Sequence, residues 1–224
     1  NTTSNTLKVY NGSSWQDAAL TSSDFVQVSE FKNGGTNFTD SLLVGHSTTG
    51  TLSSADNNVG VGARALDAVT SGVSNVAIGV DALTSLTTGV DNVAIGLRSQ
   101  KSVTGTNNNT SVGYETLEFT TGGQNSAIGK QAGRLITSGN RNIVFGHSSG
   151  ANITSGSGNV IIGNVNADSA TGSRQLKIAG YDGSTTTTWI DGSSDGVVTF
   201  NAANVSQQAL TSSSNAVAWD VQAK

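Results

Sequence analysis

The stretch Gly79–Gly96 reads GVDALTSLTTGVDNVAIG, and Gly129–Gly146 reads GKQAGRLITSGNRNIVFG. Both are versions of one unit, G-x-x-[AS]-L-x-x-h-T-[ST]-G-x-x-N-h-small-h-G, where h is an apolar residue. The closing glycine returns as Gly45, Gly62, Gly79, Gly96, Gly113, Gly129, Gly146 and Gly163, at spacings of 17, 17, 17, 17, 16, 17 and 17 residues. A period this regular predicts a stack of near-identical structural units. Such a stack is a rod with a repetitive surface, a shape suited to holding, reaching or sticking rather than to catalysis.

Each unit predicts two short strands. The first precedes the marker glycine. There Val59/Val61, Val76/Ile78, Val93/Ile95, Thr110/Val112, Ser126/Ile128, Ile143/Phe145 and Val160/Ile162 alternate with Gly60, Ala77, Ala94, Ser111, Ala127, Val144 and Ile161. Period-two alternation is the strand signal, and a strand uncharged on both faces is expected to be covered on both. One face is expected to fill the narrow interior of a coil. The small-residue face is assigned to close approach by a partner chain.

The second strand is expected at Leu66, Leu83 and Leu117, followed by Val69, Leu86, Val103, Phe119, Ile136 and Ile153. It ends at corner glycines Gly72, Gly89, Gly105, Gly122, Gly139 and Gly156. Glycine at two fixed points per unit is expected to supply the positive φ of tight corners.

An asparagine marks a third fixed point: Asn58, Asn75, Asn92, Asn109, Asn125, Asn142 and Asn159. A stacked solenoid sets identical amides one above another, where they hydrogen-bond along the axis as a ladder. A helical solenoid does not fit, because two glycine corners in 17 residues leave no room for two helices and glycine, threonine, serine and asparagine are poor helix-interior residues. The fold class is therefore read as all-β, a parallel β-roll or β-solenoid with two strands per coil and short β flanking elements. Seven intervals of about 4.8 Å give a rod of roughly 30–35 Å. So thin an interior predicts oligomerisation.

The 224 residues carry a net charge of −4 with only 12% charged residues, which excludes the basic footprint of a nucleic-acid binder. Without periodicity the 28 glycines and abundant Ser, Thr and Asn would read as disorder. The absence of cysteine excludes a disulfide framework, a Cys–zinc site and a thiol nucleophile. No run approaches the roughly 18 apolar residues of a membrane span, and no signal-peptide core appears. The chain starts at Asn1 without methionine and stops at Lys224; both ends read as those of a piece of a longer polypeptide.

Five regions are expected: a hairpin collar over 1–22, a connector over 23–40, the repeat shaft over 41–166, a β cap over 167–200, and a linker over 201–224. The collar rests on Leu7–Tyr10, an Asn11-Gly12 turn and Ser13–Trp15. The connector is polar, punctuated by Phe25, Phe31 and Phe38. The cap is read as strands at Gln175–Ala179, Thr187–Ile190 and Val197–Phe200 with turns at Asp182-Gly183, Asp191-Gly192 and Asp195-Gly196.

The units NVAIGVDALTSLTTGVDNVAIG and NSAIGKQAGRLITSGNRNIVFG resemble the head repeats of trimeric autotransporter adhesins, which use a related N-S-V-A-I-G motif. That resemblance implies a left-handed parallel β-roll in which three chains intertwine. The adhesin repeats are shorter, so the longer second strand here is a departure. The version with A-L-x-x-x-T-T-G-x-x-N is similar to repeats of bacteriophage tail-fibre proteins. NTLKVYNGSSWQ and RQLKIAGYDG…WIDGSSDGVVTF look like segments of fibre and virion proteins of marine phages, including those of cyanobacteria. The resemblance implies a homotrimeric structural segment of a phage fibre, located on the virion. Its partners would be itself, other virion proteins and a host-surface glycan, with no nucleic acid and no membrane insertion. A bacterial surface adhesin head and an ice-binding solenoid are the alternatives.

Residues of chemical interest read as structural. His46 and His147 follow marker glycines about six coils apart and cannot share a metal. Asp67, Asp81, Glu115 and Glu118 are the acids that a glycan-cleaving pair would draw on, and scattered solvent-facing acids explain them better. Asp191-Gly-Ser-Ser-Asp195-Gly resembles a calcium-loop fragment but lacks the ligand spacing and terminal Glu. The pairs Thr70-Ser71, Thr87-Thr88, Thr120-Thr121, Thr137-Ser138 and Thr154-Ser155 carry the ice-binding alternative. No catalytic, cofactor-binding or metal residue is assigned, and the chain is read as a non-enzyme.

Overall fold

The computed structural model describes residues 8–10, 13, 15–17, 31–45 and 49–200, and these are all-β with no helix. Strands β1 (Lys8–Tyr10) and β2 (Trp15–Asp17) pair antiparallel, Tyr10 opposite Trp15. The Asn11-Gly12 turn, Phe25, His46 and the 201–224 linker lie outside the described residues.

The shaft is a parallel β-solenoid of about eight turns. After β3 (Phe31–Asn33), eight three-residue strands recur once per coil. They are β4 (Leu42–Val44), β5 (Val59–Val61), β6 (Val76–Ile78), β7 (Val93–Ile95), β8 (Thr110–Val112), β9 (Ser126–Ile128), β10 (Ile143–Phe145) and β11 (Val160–Ile162). Each pairs in parallel with the next at one coil's offset, so Val76, Ala77 and Ile78 face Val93, Ala94 and Ile95. The six-residue β12 (Leu176–Tyr181) joins in parallel, and β13 (Thr186–Gly192) and β14 (Val198–Phe200) complete an antiparallel meander. All from β3 to β14 form one twelve-stranded sheet.

The expected second strand is absent; each coil has one strand and a run of turns. Leu66, Leu83 and Leu117 hold left-handed conformations, φ 59°, 49° and 50°. Such a backbone costs a non-glycine residue about 1–2 kcal/mol, and full burial of a leucine returns about 1.5–3 kcal/mol. All three are completely buried. Axial bonding continues through the turns without strand geometry, as in Leu83 N–H to the Ser99 carbonyl (3.1 Å) and Thr87 N–H to the Thr104 carbonyl (2.8 Å).

The two strand faces are the reverse of expectation. Gly60, Ala77, Ala94, Ser111, Ala127, Val144 and Ile161 point into the coil and are buried, while the larger Val/Ile pairs point outward. Space decides this. A methyl on Gly60 would sit 3.2 Å from the Ala65 carbonyl oxygen. The interior volume is shared across the coil: where the leucine position becomes Gly133 and Gly150, the strand position enlarges to Val144 and Ile161. A methyl at Gly150 would lie 2.8 Å from Val144 Cγ1. A second buried column runs through Val69, Leu86, Val103, Thr120, Ile136 and Ile153. Thr120 holds the place expected of Phe119, whose ring is exposed under the Arg134 guanidinium at 5.3 Å.

Positive φ at the glycines also divides differently. The marker column has it, as at Gly79 (φ 130°), but the corner glycines do not. The corners need glycine for approach: a methyl on Gly72 would lie 2.7 Å from the Gly89 carbonyl oxygen of the next coil. Gly105 sits one residue off that column, and Thr106 occupies the corner, its carbonyl accepting from Asn92.

Both ends of the core are plugged. At the start, β3 runs antiparallel to β4, and the Gly34–Ser41 turn folds Phe38 completely into the core. The connector thus carries a cap. At the other end Lys177 extends the buried strand column beyond Ile161 and pairs with Asp168 (2.8 Å) and Asp191 (3.0 Å). Asp191-Gly192 belongs to β13 and is not a turn.

Gln100 occupies the leucine place in the third coil, donating to Ser111 Oγ at 2.8 Å while its buried Oε1 lacks a partner among the described residues. Gln100→Leu should therefore raise urea-unfolding stability by about 1 kcal/mol. Ala77→Val should lower it by about 1–3 kcal/mol through overpacking.

Candidate functional site

Three axial arrays run along the described shaft. The first is the asparagine ladder, placed as the sequence reading expects. Asn92 Nδ2 donates to Asn75 Oδ1 (3.0 Å), to the Val90 carbonyl (3.1 Å) and to the Thr106 carbonyl (2.7 Å). Its Oδ1 in turn accepts the Asn109 backbone N–H at 3.0 Å. The pattern recurs through Asn125, Asn142 and Asn159 and ends on Gln175, whose amide donates to Asn159 Oδ1 (3.2 Å). All seven asparagines are fully buried.

The second array is a charged column two residues after the marker glycine, where Arg64, Asp81, Arg98, Glu115 and Gln131 share left-handed backbone. Arg64 pairs with Asp81 (2.6 Å) and Arg98 with Glu115 (3.2 Å), while Gln131 donates to Glu115 (2.9 Å). Arg134 bridges Glu115 (3.2 Å) and Glu118 (2.7 Å). The hydrogen bond from Gln131, with help from Tyr114, Arg98 and Arg134, outweighs burial and lowers the Glu115 carboxyl to about 2. Asp67 adds to the negative field around Arg64. Asp81, Glu115 and Glu118 are thus buried and paired with arginine rather than solvent-facing. The shift at Glu115 is downward, opposite in direction to that of a glycosidase's general acid.

The third array is the outward strand face. Its two columns carry Leu42/Val44 on β4, the Val/Ile pairs of the shaft, Leu176/Ile178 on β12, Ile190 on β13 and Val198/Phe200 on β14, by the register of the pairings. Thr110 and Ser126 are the polar members among the columns of β4 to β11, and none of these positions is charged. Val61 is 37% exposed and Ile128 46%. The stripe runs about 50 Å and covers roughly 600 Å² at ordinary strand spacings. That is at the upper end of the apolar patches found on typical monomers.

The other candidate residues do not assemble. His147 is exposed on its turn. Asp195 accepts from Ser193 Oγ and Asp191 pairs with Lys177. Among the described residues no group of His, Cys, Asp or Glu is placed to hold a metal ion, and no helix is long and apolar enough to cross a membrane. The hydroxyls of Thr70, Thr87, Thr121, Thr137 and Thr154 donate to carbonyls of the next coil at 3.0–3.2 Å, so their donors are committed to the backbone. The leucine turn and the buried ion pairs escaped sequence reasoning, although opposite charges one period apart at Arg64/Asp81 and Arg98/Glu115 were a usable signal.

No protein-family model, curated protein or solved structure matches this chain.

Asn92→Leu leaves several buried groups unpaired at about 1–3 kcal/mol each, so the thermal midpoint should fall sharply while the outward face is unchanged. Glu115 gives a pH signature. Its folded value lies below the ordinary 4.5, so its stabilisation is complete above 4.5 and is lost as pH falls toward about 2. Thermal scans across that window should show a loss of midpoint that Glu115→Gln reduces.

Proposed function

We propose that this chain is a structural, non-enzymatic segment of a bacteriophage virion fibre, part of a tail fibre or other adsorption appendage, and that it works as a homotrimer. The observation that carries the proposal is the uncharged outward stripe. Three copies set parallel around one axis would bury it along the whole shaft, and hydrophobic burial of this extent is what stabilises lasting interfaces. The interface so assigned is the large-residue face, since the small-residue face is used up inside the coil. Within one chain the axial ladder makes a stiff rod, and association supplies the core that the thin coil lacks.

The repeat pattern and the flanking segments supply the fibre context, through their similarity to phage tail-fibre sequences. The working mechanism is mechanical and multivalent: a trimeric rod displays identical surfaces and carries whatever lies beyond it, so weak contacts to a host-surface glycan add through effective concentration. Other virion proteins are the expected neighbours along the fibre. A bacterial adhesin head shares the same fold and is separated by what the rest of the polypeptide contains.

Light scattering on the chain should give a mass near three times 22.6 kDa. The double variant Ile78→Asp/Ile128→Asp should give a single-chain mass with the same far-UV spectrum. A wild-type monomer would remove the trimeric reading.

A further inference from the structure

The last coil carries a second feature. In the coils that follow Gly79, Gly96, Gly113, Gly129 and Gly146 the marker glycine is followed by a turn that bonds to the turn one coil before it. After Ala179, which holds the marker place, the chain does not turn; β12 runs on to Tyr181 and reverses through Asp182–Thr185 into β13. The turn at Gly163–Asn164 therefore has no coil above it. What remains is an open depression of about 520 Å³ lined by His147, Gly163, Asn164, Ala179 and Tyr181.

Its chemistry is specific in kind. Tyr181 is 50% exposed, yet its hydroxyl donates to the Gly183 carbonyl at 2.8 Å, which fixes the ring at the rim. Gly163 and Ala179 give a floor without bulky side chains. The Asn164 amide and the His147 imidazole have no hydrogen-bond partner among the described residues, while the Asn164 carbonyl accepts from Thr186 Oγ1 (3.4 Å) and ties that backbone to β13. No carboxylate, ammonium or guanidinium lines the depression. An aromatic face, two polar groups that can both donate and accept, and an uncharged floor match a ring with one apolar face and a rim of hydroxyls. The volume lies in the range of small-molecule sites.

The geometry points to a binding site for one neutral pyranose unit of a glycan, with Tyr181 stacking on the sugar's C–H face and Asn164 and His147 bonding its hydroxyls. The site deepens the attachment reading given above, from which it takes its biological meaning, by placing the glycan contact at the C-terminal end of the shaft. A single such site binds weakly, and three on one rod raise the effective affinity.

The test is saturation-transfer NMR on the full 224-residue chain, using the methyl glycosides of glucose, galactose, mannose and N-acetylglucosamine as probes. At least one should receive saturation at its ring protons. Tyr181→Ala should weaken that binding by roughly tenfold, the scale of one aromatic contact. Asn164→Ala should weaken it as well, while Thr51→Ala, on an exposed position at the far end of the shaft and off the outward stripe, leaves it unchanged. Both site variants should keep the wild-type far-UV spectrum and native mass. Absence of transfer to all four probes, or transfer unchanged in both site variants, overturns the site. Because native mass is read on the same samples, loss of the sugar site with the trimer intact is distinct from failure of the fibre reading.

Discussion

One interaction sets the terms for the rest of the molecule: the buried asparagine amide that bonds to its counterpart one coil away. Each side chain spans two adjacent coils and a corner carbonyl, so the coils are held at the spacing that a strand ladder needs. Buried amides in such a chain are fully satisfied only when every coil keeps the same shape, and satisfied networks specify a unique arrangement. The marker and corner glycines follow from this. They stand where successive backbones come too close for a Cβ, and only a coil of constant shape brings the same backbones together each time.

A coil this tight has little room inside. Small strand residues must face inward, where leucine, valine or isoleucine from the turns supplies the bulk, and the bulky strand residues are left outside. The apolar outer stripe is therefore a consequence of the narrow interior as much as a feature in its own right. The charged column reflects the same economy: carboxylates at Asp81, Glu115 and Glu118 are buried against the coil wall, and arginines one period away compensate them. Breaking one partner of such a pair is more damaging than the pair is stabilising.

Much of this was legible in the residues. The period, the parallel stack, the shaft strands and the asparagine ladder all follow from spacing, because identical residues at identical intervals can do little else in a stacked array. The facing of the strands was not legible. Alternation with a period of two reports that two faces differ, and only charge or volume says which is inside. Here both faces are uncharged, so volume alone decided. The leucine turn was hidden because leucine rarely adopts positive φ, and its apolar spacing imitates a strand. Phe119 and Gly105 misled by proximity: each lies one residue from its column, displaced where the units depart from the common pattern. The depression beside Tyr181 was invisible for another reason, since it arises from the absence of a turn where the period stops.

The amide ladder holds the coils in register. Hydrogen exchange of the asparagine side-chain amides, followed by NMR, tests it most directly and does not depend on oligomeric state. Slow exchange of the NH₂ groups of Asn75, Asn92, Asn125 and Asn142, comparable to that of the shaft backbone, is the predicted result. Exchange at the rate of free asparagine amides would contradict the ladder, and with it the derivation of the narrow interior and the outward stripe.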